Sequence, residues 1–364
     1  MSKEKIEKIV LVVSDFHLGK GTYNEDGSLN FLEDFFYDDK FAEFLQYYDE
    51  MHPSAQIELV FNGDIFDLLQ VDYREEYPAR ITEENSLYRF NKIVEGHPVF
   101  FEALRKFLSK PNRRLVYVQG NHDAGFLFPR VRDRLEEVIG VPYHYAGMRY
   151  ELNGYLIEHG QQYEPSNRYK EDELFITRGV PEPIVNLPWG SVYVISILNK
   201  LRLKRPYVDK VRPFSLYFRW ALINDFFWGI WALLKSFLFF LSKQFIRSKW
   251  YRTSLRESFE IIKEHSFFST PLDRKAEKIL ATTDYHTVIF SHTHKMMFKS
   301  FKNGKKYFNT GCWIEMIDLD LVHFGKNLRF TFVEIDFYRN GSHEAHLKEW
   351  KGKCREVEKV FQHY

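Results

Sequence analysis

Seven polar residues at the ends of apolar runs could carry chemistry in this 364-residue chain: Asp15, His17, Asp64, Asn121, His159, His292 and His294. The densest pair sits in Ser291-His292-Thr293-His294, directly after the apolar stretch Thr287–Phe290, which reads as a short buried strand. Imidazoles two residues apart on extended chain project to one side. One can then face one metal ion and the other its neighbour, or both can face a shared cleft. Alone, such a pair reads more readily as two surface histidines, so the other tips decide. Together they offer carboxylate, imidazole and amide ligands with no thiolate, a set suited to Mn, Fe or Zn in mixed N/O coordination. Seven ligands exceed what one ion needs and suit two ions sharing a bridging carboxylate. Two ions about 3.5–4 Å apart can clamp a phosphoryl group and activate water for in-line attack.

The elements that must present these groups are legible around them. Residues 9–13 form a β-branched and leucine run ending in Ser14-Asp15-Phe16-His17. A second run, 57–61, leads into Asn62-Gly63-Asp64, and a third, 115–118, into Gly120-Asn121-His122-Asp123. Residues 31–50 carry Phe41, Phe44, Leu45 and Tyr48 at helical spacing, and Pro98 opens a second helical pattern through Phe101, Leu104, Phe107 and Leu108. Residues between 67 and Pro98 read as a polar loop. This βαβα order places ligands at strand C-termini. Asn153-Gly154, Asn303-Gly304 and Asn340-Gly341 each stand between β-patterned runs and predict three hairpins, the first delivering His159. Gly63 and Gly120 precede ligands where the backbone must turn sharply. Asp67 reads either as support for a ligand ring or as a turn cap. His97, His144, His265 and His286 read as solvated or structural.

The ordered motifs Asp15-x-His17, Gly63-Asp64, Gly120-Asn121-His122-Asp123, His159-Gly160 and Ser291-His292-Thr293-His294 resemble those of calcineurin-like metallophosphoesterases. The resemblance covers roughly residues 8–160 and 285–337, with Ser291 standing where the family commonly has glycine. It implies an α/β fold, a sandwich of two mixed sheets flanked by helices, and two divalent ions, manganese first with iron or zinc as alternatives. By the same resemblance Asp15, His17 and His294 hold one ion, Asn121, His159 and His292 the other, and Asp64 bridges them. His122 would meet the scissile phosphate and assist the leaving oxygen, with Asp123 orienting its ring. The SDxHLG and GDxFD forms and a helical insert before the last motif also resemble the UDP-2,3-diacylglucosamine pyrophosphatases. Those enzymes typically have arginine where this chain has His122, and a shorter insert.

Composition sets the remaining expectations. The two cysteines, Cys312 and Cys354, provide no disulfide framework and suggest a reducing compartment. The apolar run 9–13 is too short for a signal peptide, so the cytosol, or the inner face of a membrane, is expected. Net charge is only +1, yet residues 200–256 hold thirteen Lys and Arg against Asp209 and Asp225, a local +11. The domain organisation expected is a discontinuous catalytic domain (1–160 and 285–350), a helical aromatic and basic cap (161–284) and a charged C-terminal segment (351–364), a short helix or tail. Within the cap, residues 226–246 are intensely apolar but interrupted by Lys235 and Lys243. Asn224, Asp225, Lys235, Ser236, Ser242, Lys243 and Arg247 share one helical arc with Trp228, Phe239 and Ile246, while the rest of the circumference is Phe, Trp and Leu. An interfacial helix is expected over a membrane span, with packing onto the protein itself as the alternative. Joined to the phosphoester or pyrophosphate hydrolysis that the resemblance implies, these features predict an anionic substrate, amphiphilic or lipid-linked, at an anionic membrane surface. The rivals are a nucleic-acid or nucleotide phosphodiesterase, disfavoured because the aromatics run as one apolar helix, and a non-catalytic scaffold, disfavoured because no ligand is missing.

Overall fold

Ile9, Leu11 and Val13 face one side of the first strand, Val10 and Val12 the other, and all five are fully buried. A strand covered on both faces reads as an unbroken apolar run, and the fold follows from that. A computed structural model describes residues 6–212, 214–245, 271–318 and 325–357. Its seven-stranded sheet runs, in spatial order, Cys354–Glu356, His343–Trp350, Phe330–Tyr338, Ile6–Val13, Gln56–Asn62, Arg113–Val118 and His144–Gly147. The last four are mutually parallel and the first three antiparallel to their neighbours. A five-stranded sheet runs Met297–Ser300, Lys306–Asn309, Thr287–Phe290, Tyr155–Glu158 and Arg149–Leu152.

The sheets pack face to face through Val10, Val12, Val60, Ile157, Ile289 and Val333. Helices Asp38–Met51, Glu83–Gly96 and Pro98–Leu108 cover the outer face of the larger sheet, burying Phe41, Phe44, Phe90, Phe100 and Leu104 against Leu59, Phe61 and Tyr117. Helix Leu272–Thr282 covers the smaller sheet through Leu272, Ala276 and Leu280. The result is the expected mixed α/β sandwich, with parallel strands delivering their C-terminal ends to one rim.

The three expected hairpins are present. Two local readings are corrected. Residues 83–96, read as loop, form a helix started by a capping box between Thr82 and Asn85. In the tail, Cys354–Glu356 pairs as an edge strand with Lys348–Trp350, where a helix or free tail was expected; residues 358–364 lie outside those described.

After Glu158 the chain leaves the sandwich. Trp189–Arg202 is helical, with a π-helical turn at Val194–Leu198, and Phe214–Asn224 and Phe226–Phe245 form a helical hairpin. This region has its own apolar cluster of Leu201, Val208, Tyr217, Ala221, Trp228 and Ala232. It is tied to the sandwich by the pairing of Val211–Arg212 with Met316–Asp318. A second tie is Arg202, fully buried, whose guanidinium donates to both Asp34 carboxylate oxygens at 2.7 and 3.0 Å. Helix Leu272–Thr282, although inside 161–284, packs on the sheet of the sandwich.

Candidate metal centre

Asp15, His17, Asp64, His292 and His294 all have positive φ, between 51° and 69°. They are five of the eight non-glycine residues in that region among the described residues. The left-handed conformation costs a non-glycine residue about 1–2 kcal/mol, and such strain concentrates at functional sites. The alternation expected for extended chain is therefore not what aims these side chains. Each strand has already ended, and left-handed turns swing the groups into the rim. Gly63 has φ +78°, and a Cβ there would lie 2.5 Å from His159 Nδ1; the backbone passes too close to the ring for any side chain.

Two clusters result. Ligand atoms of Asp15, His17 and His294 lie within 4.8 Å of one another, as do those of Asp64, His159 and His292. His294 Nε2 is 3.3 Å from Asp15 Oδ1 and 3.1 Å from His17 Nε2. Asp64 Oδ2 lies 3.1 Å from His159 Nε2 and 3.9 Å from His17 Nε2, so its carboxylate stands between the clusters. Asn121 Oδ1 and His292 Nδ1 are buried without a hydrogen-bond partner among the described residues, while Asp15 Oδ1 and His159 Nε2 meet only the other groups of the clusters. Buried polar atoms are ordinarily satisfied. Two unsatisfied atoms beside carboxylates and imidazoles that face one another make an N/O donor set that fits divalent ions.

Neighbouring groups fix the rings. His159 Nδ1 donates to the Asn62 carbonyl at 2.8 Å, turning Nε2 toward Asp64. The Ser291 hydroxyl sits between Asn62 and His159, 2.9 Å from the Asn62 carbonyl and 3.0 Å from His159 Nδ1, which gives the serine a place where the family commonly has glycine.

His122 is oriented by a different carboxylate from the one expected. Asp67 Oδ2 lies 2.7 Å from His122 Nδ1 and 3.0 Å from His17 Nδ1, joining the two rings. Asp123 points away and accepts the backbone N–H groups of Asp64, Phe66 and Gly120 at 2.6, 2.9 and 3.2 Å. It is the brace of the ligand loops; Asp67 is the partner of His122. Burial alone would lower the His122 pKa, but Asp67 and Asp64 outweigh it and push the imidazole up to about 10. Asp67 itself is held below the ordinary carboxylate range: burial would raise it, and the two histidines more than compensate.

The insert supplies groups that motif reading did not find. Glu164 Oε2 lies 2.7 Å from His292 Nε2, so the ring's free Nδ1 faces the ligand cluster, a carboxylate–histidine arrangement typical around metals. Asn167 donates to Glu164 Oε2 at 3.1 Å. The hydroxyls of Tyr169 and Ser191 donate to the Asn121 carbonyl at 3.2 and 3.3 Å. A cavity of about 440 Å³ opens over the clusters; Trp189, Tyr193, Val194, Leu198 and Met316 contribute an apolar wall, and Lys210 a cation 2.7 Å from Asp34 Oδ1. None of these residues falls in a recognisable motif. Only the spatial return of the insert onto the rim reveals them.

No curated protein matches the chain in sequence. Among solved structures it is similar to a dimetal phosphatase from Danio rerio, at 11% identity and TM-score 0.40 over 97% of this chain and 98% of that one. It is also similar to Vacuolar Protein Sorting 29 from Cryptosporidium parvum, at 12% and 0.34 over 96% of each. A third is the calcineurin-like phosphoesterase YfkN from Bacillus subtilis, at 12% and 0.31 over 97% and 89%. At such TM-scores these likenesses carry no argument. The sequence model of one family does, matching residues 9–296 and so spanning every strand-tip ligand from Asp15 to His294. By that match the chain belongs to the calcineurin-like phosphoesterases.

Proposed function

We propose that this phosphoesterase uses two divalent ions, manganese first with iron or zinc as alternatives, to hydrolyse a phosphoester or pyrophosphate bond in an amphiphilic, lipid-linked substrate. The supporting observation is the cavity itself: ligand clusters at its floor and an apolar wall of Trp189, Tyr193, Val194, Leu198 and Met316 beside them. A substrate with a phosphoryl group and hydrocarbon next to it satisfies both surfaces at once.

Asp15, His17 and His294 would hold one ion, Asn121, His159 and His292 the other, and Asp64 would touch both. Bound there, two divalent ions supply positive charge for the phosphoryl oxygens and acidify the attacking water. The chain's own residues do the rest. Asp67 keeps His122 protonated and fixed in direction, so the imidazole can deliver a proton to the departing oxygen. Asp123 holds the Asp64 and Gly120 backbone in place through amide hydrogen bonds. The apolar wall excludes water from one side of the substrate.

Purified protein loaded with Mn²⁺, Fe²⁺ or Zn²⁺ should be assayed on bis-p-nitrophenyl phosphate, nucleotides, single-stranded DNA and acylated sugar pyrophosphates. Metal-dependent hydrolysis with kcat/KM rising as acyl chains are added is the expected result. Nucleotide or DNA hydrolysis without gain from acyl chains would overturn the amphiphilic reading. Loaded protein that hydrolyses nothing would make the chain a scaffold.

A further inference from the structure

Helix Phe226–Phe245 is turned the opposite way from a water-facing helix. Gly229, Ala232 and Ser236 face inward, together with Trp228 and Phe239. Gly229 packs against the Ala221–Leu222 backbone, Ala232 is fully buried, and Ser236 meets the Tyr193 hydroxyl at 2.9 Å. Its outward stripe is hydrocarbon: Phe227, Ile230, Leu234, Phe237 and Leu238 are 88, 45, 52, 57 and 53% exposed. They recur at the three- and four-residue spacing of a single helix face. At the turn into this helix Ile223 is 80% exposed as well. Monomeric soluble proteins rarely leave so continuous an apolar surface in water.

We infer that this hairpin docks the protein on an anionic lipid bilayer, its outer stripe lying in the headgroup boundary. Charge selects this occupant. Exposed Arg219 and Lys235 stand beside the stripe, and the ammonium groups of Lys204 and Lys235 both lie 4.4 Å from the Trp231 ring centre. The acid at the turn, Asp225, is matched by Arg205 at 2.6 Å and presents no free negative charge. A second copy would bring like-charged rims together, whereas anionic headgroups neutralise them. The element lies on the membrane and does not cross it: no helix among the described residues is long and apolar enough to span one. Lys243 lies at the helix end with its side chain outside the description, and Ile246 and Arg247 lie outside the described residues, so the surface is defined without them.

The position of the hairpin joins docking to the catalytic cavity. Phe239, on its inner face, packs 5.6 and 5.8 Å from the rings of Tyr193 and Trp189, which line that cavity. The bilayer surface and the cavity wall are thus carried by two helices packed on each other. This extends the amphiphilic reading and rests on it for the identity of what passes between the two; the docking surface stands by itself.

The test is flotation of full-length protein with vesicles of phosphatidylcholine alone and with added phosphatidylglycerol, at low and high salt. Each protein is also assayed on soluble bis-p-nitrophenyl phosphate. Wild type should float with anionic vesicles, bind neutral ones about tenfold more weakly, and be released by salt. The double variant Ile223→Ser/Phe227→Ser should bind anionic vesicles at least about tenfold more weakly, with unchanged sedimentation and unchanged hydrolysis of the soluble ester. Wild type that hydrolyses the ester but never floats overturns docking. So does a wild-type dimer that this double variant converts to monomer, because the stripe then belongs to a second copy. Protein that floats but hydrolyses nothing sinks the catalytic reading and leaves docking standing.

Discussion

Replacing Asp67 by asparagine should remove most of the activity while preserving the fold, and the size of the loss can be worked out from His122. The substitution keeps volume, and the Gln70 backbone N–H, 3.1 Å from Asp67 Oδ1, can still find an acceptor. What disappears is the negative charge 2.7 Å from His122 Nδ1. That charge is the first cause raising the imidazole from 6.5 to about 10, against burial; Asp64 is the second. In the metal-loaded protein Asp64 is committed to cations, so Asp67 remains the carboxylate that keeps the ring protonated. At pH 8 the wild-type ring is almost wholly charged. A ring returned to 6.5 is only about 3% protonated there, a loss of roughly 30-fold in the acid form alone. Burial drives it lower still, so about 30-fold is a floor. The assay is kcat/KM against pH at saturating metal, on a phosphodiester with an alkyl leaving group and on one with p-nitrophenolate. The alkaline limb should move down to about 6.5 or below, with a smaller loss on p-nitrophenolate, which needs little protonation. A variant retaining the wild-type limb and rate on both substrates would refute the assignment of His122 as acid and Asp67 as its partner.

Other substitutions read separate parts of the site. Glu164→Gln weakens the support of His292 and should lower metal affinity about 10–100-fold, measured by metal titration, with Glu164→Asp recovering part of it; unchanged affinity would make Glu164 a wall residue only. His122→Ala should retain its metal and lose about 10²–10⁴ in turnover on poor leaving groups; equal losses on good and poor leaving groups would assign it to phosphate positioning. His97 lies far along the chain from these ligands, buried between Asp38 and Glu33, which overcome burial and push it up to about 9. Its stabilisation is complete below its ordinary 6.5 and lost as pH rises through about 9, worth up to about 3 kcal/mol. Urea unfolding across that window should show the decline in wild type and a flatter profile in His97→Gln.

How far the sequence reveals this arrangement depends on whether local pattern or tertiary contact sets each feature. The parallel strands are legible because both faces are buried, leaving uninterrupted apolar runs whose ends mark the ligand positions. The helix Asp38–Met51 is legible because Phe41, Phe44, Leu45 and Tyr48 share one face. Helix Glu83–Gly96 is not, because its buried face includes Asn85, Ser86 and Arg89, which break the apolar period. The charged tail misleads in the same way: an edge strand tolerates charge, and Cys354–Glu356 is one. At the site, residue types identify the ligand clusters, but adjacency in the chain suggests Asp123 as the partner of His122. The loop after Gly120 instead turns Asp123 inward to three backbone amides, and Asp67 arrives from the preceding strand tip. Left-handed φ at Asp and His is imposed by the surrounding fold, and no residue preference announces it. The apolar period of residues 226–245 reveals two unlike faces. Which one points outward is fixed only by the small residues that pack inward.

A pair of ions sharing Asp64 fixes the metal content of each chain. Wild-type protein, Asp15→Ala and Asp64→Ala should be reconstituted with Mn²⁺, desalted and analysed by inductively coupled plasma mass spectrometry. One carboxylate between two cations offsets their mutual repulsion, and Asp64 stands between the Asp15 and His159 clusters. The prediction is two ions per chain in wild type, close to one in Asp15→Ala, and almost none in Asp64→Ala. An Asp64→Ala protein that retains two tightly bound ions and full hydrolysis would contradict the account.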